Sequence, residues 1–316
     1  MKVTTTRIFF ATDVHGSDVC WRKLISAGKF YKANVVILGG DMTGKEVVPL
    51  VKQPDGTVSS NFLGIPTIIS RKEDLETHVK RIMDTGYYPF DTTPTEMSEL
   101  STSPEKAEAV FKKLMIQRIR EWIEIAEKNL KGSGVRFIVA PGNDDDPAID
   151  PILDASVVIE RAEGRVLEIE DHQMLNSGYT NPTPWATPRE CSEEELNKRI
   201  EAMTSQITNF RTSIFQLHAP PYASGLDEAP TLDKDLKPVK GGTIRGPVGS
   251  KSVLEAIKKY QPLLGLHGHI HESKGARKIG KTLCVNPGSM YSEGILQGTL
   301  IELEKDKIRS QIFTSG

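Results

Sequence analysis

Arg7-Ile8-Phe9-Phe10-Ala11-Thr12-Asp13-Val14-His15 reads as a short strand that ends in two residues with metal-binding side chains. The apolar block is uninterrupted and bounded by polar residues, the pattern of a strand buried on both faces. Beyond it, Ser17 and Asp18 signal a helix start, Val19, Leu24 and Ile25 follow, and Gly28 closes the segment. Asn34-Val35-Val36-Ile37-Leu38 then repeats the strand pattern and runs into Gly39-Gly40-Asp41. Strand, helix and strand in this order form a βαβ unit, whose right-handed crossover makes the two strands parallel. The chain is therefore expected to be α/β.

The same ending recurs further along. The apolar run over 135–140 leads into Pro141-Gly142-Asn143-Asp144, and the run over 212–217 leads into His218-Ala219-Pro220-Pro221. The run over 262–266 leads into His267-Gly268-His269-Ile270-His271, which holds three of the seven histidines. Taken singly, each motif reads as well as a turn or a helix cap. Ligand sites in α/β sheets gather at the carboxyl ends of the strands, so jointly Asp13, His15, Asp41, Asn143, His218, His269 and His271 are expected to converge. Their donors are carboxylate, imidazole and amide oxygen without thiolate, which suits Mn, Fe, Zn or Co better than a Cys-built structural zinc. Seven such residues are too many for one tetrahedral ion and suit two ions sharing a carboxylate, an arrangement that clamps an in-line displacement at phosphorus. His267 lies on the strand itself and is expected to support the site rather than ligate.

Between Asp41 and Asn143 the pattern changes. Residues 47–62 read as a hairpin about Pro54-Asp55-Gly56, 74–83 have helical spacing, and Ser103-Pro104 opens a longer helix to about residue 130. A helical, cap-like insertion of about 71–131 within a single domain of 1–316 is the expectation. Further strands are expected over 157–159, 165–169, 282–285 and 298–304, with an irregular stretch over 176–189. Ser192 with Glu195 forms a capping box for a helix to about 208, with Glu193 in its solvated first turn, and another helix is expected over 250–260. His78 and His172 read as surface residues, while Trp185, Arg189 and Arg245 are candidates for lining a substrate pocket.

Forty basic against 42 acidic residues leave a net charge of −2, which offers no broad attraction for nucleic acid or an anionic membrane. The three cysteines are widely spaced and fit a reducing compartment. No stretch approaches the ~20 apolar residues of a membrane span, and the first residues show no secretory pattern, so the cytoplasm is the expected location. The oligomeric state stays open, a homodimer included.

With these motifs in order, Asp13-Val14-His15, Gly39-Gly40-Asp41, Gly142-Asn143-Asp144-Asp145, His218-Ala219-Pro220-Pro221 and Gly268-His269-Ile270-His271, the chain resembles the calcineurin-like metallophosphoesterases, and within them the Icc-related predicted phosphoesterases. The resemblance implies a four-layer αββα sandwich of two mixed sheets and two divalent metal ions, manganese first among them. It further implies that Asp13, His15 and His271 hold one ion, that Asn143, His218 and His269 hold the other, that Asp41 bridges, and that a metal-bound hydroxide attacks a small phosphoester. Where the family commonly carries a His after the Asn, this chain has Asp144. An Asp serves as general acid only if its pKa is raised, and loss of that acid's usual ~10² to 10⁴ contribution favours good leaving groups. A phosphodiester or an activated phosphate is therefore the expected substrate. The alternatives are a phosphomonoesterase or protein phosphatase, and a non-catalytic binding scaffold that keeps the metal site.

Overall fold

A computed structural model describes residues 5–316. The first unit is strand β1 (Thr6–Ala11), helix α1 (Asp18–Phe30) and strand β2 (Val35–Leu38). Ser17 caps α1, its hydroxyl accepting from Cys20 N. The helix runs past Gly28, because the missing side chain lets Val135 pack against it. An excursion follows: β3 (Val47–Lys52), β4 (Val58–Phe62), β5 (Ile65–Ile69), α2 (Lys72–Asp84), β6 (Tyr88–Thr92), α3 (Pro94–Thr102) and α4 (Pro104–Leu130). Its four strands form their own sheet, in the order β5-β4-β3-β6. The residues between β2 and β7 thus contain a sheet as well as helices.

The chain then returns through β7 (Arg136–Val139), α5 (Asp150–Asp154), β8 (Ile159–Arg161), β9 (Val166–Ile169), β10 (His172–Ser177), α6 (Glu193–Thr204) and β11 (Ile214–Leu217). Two short strands, β12 (Glu228–Pro230) and β13 (Arg245–Pro247), pair with each other before α7 (Lys251–Tyr260). The last strands are β14 (Leu264–Leu266), β15 (Gly275–Ile279), β16 (Thr282–Asn286), β17 (Gln297–Glu304) and β18 (Lys307–Ser315).

Two six-stranded sheets result, in the orders β18-β17-β1-β2-β7-β8 and β15-β16-β14-β11-β10-β9. Both are mixed: β1, β2, β7 and β8 run parallel in the first, as do β10, β11, β14 and β16 in the second, with antiparallel strands at the margins. Alternation along the strands sends Ile8, Phe10, Ile37 and Ile138 inward to meet Ile214, Leu264 and Val285 of the other sheet. The opposite face of the first sheet is covered by α1 and α4, where Trp21 stacks on Trp122 at 4.6 Å between ring centres. The second sheet is covered on its outer face by α6 and α7 through Leu196, Ile200, Val253 and Ile257. This is the four-layer αββα sandwich.

Several local expectations are corrected. His172 is 1% exposed, not a surface residue, because it starts β10 and its Nδ1 lies 2.8 Å from the Thr212 carbonyl. The irregular stretch begins after Ser177, since residues 172–177 are strand despite their polar content. Glu193 is not simply solvated. Its carboxylate accepts from Ser250 Oγ at 2.7 Å, Lys251 N at 2.8 Å and Ser252 N at 2.9 Å, so the start of α6 caps the start of α7. Arg189 does not line a pocket; it is 2% exposed, pairs with Asp150 at 2.6 Å and donates to the Asp145 carbonyl, pinning the 178–191 loop from below.

Candidate active site

The parallel strands β1, β2 and β7 of one sheet and β11 and β14 of the other all end at the same edge of the sandwich. Their terminal loops are stitched together by backbone. Asp13 N donates to the Gly40 carbonyl at 3.0 Å and His15 N to the Asp41 carbonyl at 2.9 Å. The Asp13 carboxylate in turn accepts from His269 N at 3.1 Å, tying the first strand's end to the last. Four residues here, Asp13, His15, Asp41 and His269, have left-handed φ values of 54°, 37°, 45° and 68°. Asp and His tolerate that region better than most, but it still costs on the order of 1 kcal/mol each, strain of the kind found at functional sites.

The seven residues singled out by sequence are gathered, five of them buried and His269 and His271 half-buried. Donor atoms of Asp13, His15 and His271 lie within 4.8 Å of one another, and so do those of Asp41, His218 and His269. Asp41 Oδ2 sits between the groups, 3.6 Å from His15 Nε2 and 3.3 Å from His218 Nε2. Its other oxygen accepts from Asp144 N at 3.0 Å. Close approach explains two glycines: a Cβ on Gly40 would fall 2.0 Å from His218 Nδ1, and one on Gly142 would fall 2.2 Å from Asp41 Oδ1.

The donor atoms fit divalent cations. His218 Nδ1 lies 3.0 Å from the Gly39 carbonyl, which fixes the ring's orientation and aims Nε2 inward, where it has no hydrogen-bond partner. Asn143 Nδ2 donates to Thr187 Oγ1 at 2.9 Å, leaving Oδ1 buried and unpartnered. His15 Nε2 and His271 Nε2 face each other at 3.0 Å, a contact that needs either a shared proton or a cation. Burial alone would lower the His218 imidazole, yet the carboxylates of Asp41 and Asp13 push it up to about 10. Burial would raise Asp41, but His218 holds it well below the usual carboxylate range.

His267 packs as expected, its Nδ1 2.8 Å from the Leu217 carbonyl, and burial lowers its pKa to about 4. Three further participants take roles that the sequence reading did not assign. Lys45 Nζ forms an ion pair with Asp144 Oδ2 at 2.7 Å beside Asp41. Asp145, fully buried, accepts from Met42 N, Thr43 N, Thr43 Oγ1 and Gly142 N, clasping the loop after β2 to the loop after β7. Asn286 donates to the carbonyls of Gly268 and Ile270 and so holds the histidine loop. In the run Asp144-Asp145-Asp146 the family pattern covers the first two, Asp144 as a departure from it; only packing shows that the second is the clasp.

A cleft of about 740 Å³ opens from the cluster. Asp41, Lys45, Asn143, Asp144, His269 and His271 form its floor, and the 178–191 loop and the β12–β13 hairpin form its wall. Trp185 lines it as expected; Arg245 is not among the lining residues.

The fold is that of the calcineurin-like metallophosphoesterases. The uncharacterized protein MJ1162 of Methanocaldococcus jannaschii is 35% identical over 170 residues, which are 52% of this chain and 70% of that protein, and the chain belongs to its family. No family model matches. Among solved structures, TT1561 of Thermus thermophilus aligns with a TM-score of 0.52 at 13% identity, covering 99% of both chains. Another aligns with a TM-score of 0.56 at 15% identity, covering 98% of this chain and 99% of its own. These likenesses show the fold. Among the described residues no helix is long and apolar enough to cross a membrane.

Proposed function

We propose that the chain hydrolyses a phosphoester with the help of two divalent cations, manganese first among the candidates. The observation that carries this reading is the pair of donor groups flanking Asp41 Oδ2, with unpartnered inward atoms, at the foot of an open cleft. Asp13, His15 and His271 would hold one cation, and Asn143, His218 and His269 the other, with Asp41 between them. Bound there, the cations would supply Lewis acidity at the phosphoryl oxygens and bring the pKa of water toward ~7.

The remaining work falls to the chain itself. Lys45 keeps its charge, since the attraction of Asp144 and Asp41 outweighs the burial that opposes it. Its ammonium stands on the cleft floor where it can hold a phosphoryl oxygen and balance charge developing there. Asp144 is raised to about 6, by burial first and by the Asp41 carboxylate second, against the pull of Lys45. It occupies the place where the family resemblance leads one to expect a histidine that protonates the departing oxygen. A carboxyl tied to a lysine is a weaker proton donor at neutral pH, which favours a phosphodiester or an activated phosphate over an alkyl monoester.

The test combines metal analysis with a panel of chromogenic mono- and diesters assayed under Mn, Fe, Zn and Co. Two ions per chain and faster diester turnover are expected, with Asp41→Asn lowering activity on the order of 10³-fold and losing at least one ion. Fewer than two ions in the wild-type protein under every metal would sink the reading.

A further inference from the structure

The cleft is far larger than a phosphoryl group and a water require, and its two sides differ in chemistry. The wall across from the floor carries five prolines, Pro182 and Pro184 from the 178–191 loop and Pro230, Pro238 and Pro247 from the β12–β13 region. Proline has no N–H, so the backbone at these five positions has no donor to offer a ligand. Two of the side-chain donors nearby are spent within the protein, Asn181 Nδ2 donating to the Val248 carbonyl at 3.1 Å and Thr183 Oγ1 to Glu190 at 2.6 Å, which leaves the Thr231 hydroxyl as the free one. Trp185 N is also used, donating to Thr183 Oγ1 at 3.2 Å.

What the wall does present is hydrocarbon. Trp185, Leu236 and Val248 are 63%, 46% and 41% exposed and all line this cleft. Single exposed apolar residues need no explanation, but several around one concave site mark a place where an apolar ligand group is covered. A nucleobase would bring several donors and acceptors along its edge and find only Thr231 Oγ1 and Asn181 Oδ1 as unpartnered side-chain atoms on this wall, at a desolvation cost for the rest. An alkyl chain asks for none.

We propose that the substrate is a phosphoester carrying a long aliphatic chain, its phosphoryl group on the polar floor and its chain laid against the proline and tryptophan wall. This rests on the phosphoesterase reading for the reaction, while the chain-binding wall stands on the wall's own composition. No further bond is made or broken by it.

Two measurements on the full chain test it. In the first, kcat/KM is compared for methyl, hexyl and dodecyl p-nitrophenyl phosphodiesters with manganese, below the concentration at which the dodecyl ester forms micelles. Covering a methylene is worth about fourfold (~0.8 kcal/mol), so with part of the chain covered the dodecyl-to-methyl ratio should exceed about tenfold. Trp185→Ala should cut that ratio at least fivefold or so, and Trp185→Phe should keep most of it. A wild-type ratio near or below one, or a ratio unmoved in Trp185→Ala, overturns the proposal.

The second needs no turnover. Trp21 and Trp122 are buried, so the exposed Trp185 should dominate any ligand-induced change in tryptophan emission. A blue shift is expected with dodecylphosphonate and none with methylphosphonate. Equal responses, no response to the dodecyl compound, or tighter binding of a nucleoside monophosphate overturn the proposal. If no ester is hydrolysed but binding still strengthens with chain length, the phosphoesterase reading fails and only the chain-binding wall stands. If all three esters are hydrolysed at one rate, the reverse holds.

Discussion

The floor and the wall of the cleft are built on opposite plans. Apart from the exposed Lys45, the floor is a set of buried or half-buried, hydrogen-bonded side chains on short loops at strand ends, several held in left-handed backbone conformations. The wall is carried by two long loops rich in proline, its large side chains open to solvent. Disturbing the floor should therefore damage chemistry or folding, whereas disturbing the wall should change which ligand is preferred and little else. Rigid scaffolds commonly position the reacting groups while loops set selectivity.

The sharpest way to break that comparison, after Asp41→Asn, is Asp145→Ala. It strands Met42 N, Thr43 N and Gly142 N without their acceptor, and each buried unsatisfied donor costs ~1 to 3 kcal/mol. A loss of about 3 kcal/mol or more in urea unfolding is expected; an unchanged midpoint would show that the clasp does not hold the floor. Lys45→Ala should come next, lowering kcat on the order of 10²-fold with a smaller change in KM, because the ammonium is placed to act on developing charge. A pure KM effect would reassign Lys45 to ground-state binding.

Glu193 tests the layer behind the wall. Its carboxyl is lowered because the Ser250 hydroxyl and the Ser252 and Lys251 amides outweigh burial, which alone would raise it. A depressed carboxyl contributes stability above its unfolded pKa of about 4.5 and loses it as pH falls through the folded value. Glu193→Gln should thus cost about 1 kcal/mol at pH 7, with the difference from the wild type shrinking as the medium is acidified below about pH 4.5. A difference that stays constant with pH would argue that packing, not charge, is at work. Smallest of all, Trp185→Ala should alter unfolding free energy by no more than about 0.5 kcal/mol, since its ring is largely exposed. A larger loss would mean that the wall is structural after all.

Much of the floor was legible because its elements carry local signals. Buried parallel strands read as apolar runs, and an Asp, His or Asn placed directly after such a run is displaced toward the sheet's carboxyl edge whatever else the chain does. The strand β10 escapes such a reading because His172, Gln173, Asn176 and Ser177 look polar, although partners such as the carbonyls of Thr212 and Met174 satisfy polar atoms of His172 and Asn176 inside the sheet. Lys45 went unnoticed and Glu193 was read as solvated for a related reason: each owes its place to a partner distant in the chain, Asp144 and the start of α7.

By itself, then, the order of residues determined the α/β class, the edge at which the site forms and the seven side chains gathered there, because strand pattern and strand-end chemistry are short-range properties, while the sandwich followed from the family resemblance of the motifs. Only the tertiary structure decided which of three consecutive aspartates is a clasp and which faces Lys45, and that prolines from two separate loops meet across the floor. Those facts depend on distances between segments that the chain brings together by packing two sheets face to face, and no local spacing encodes them.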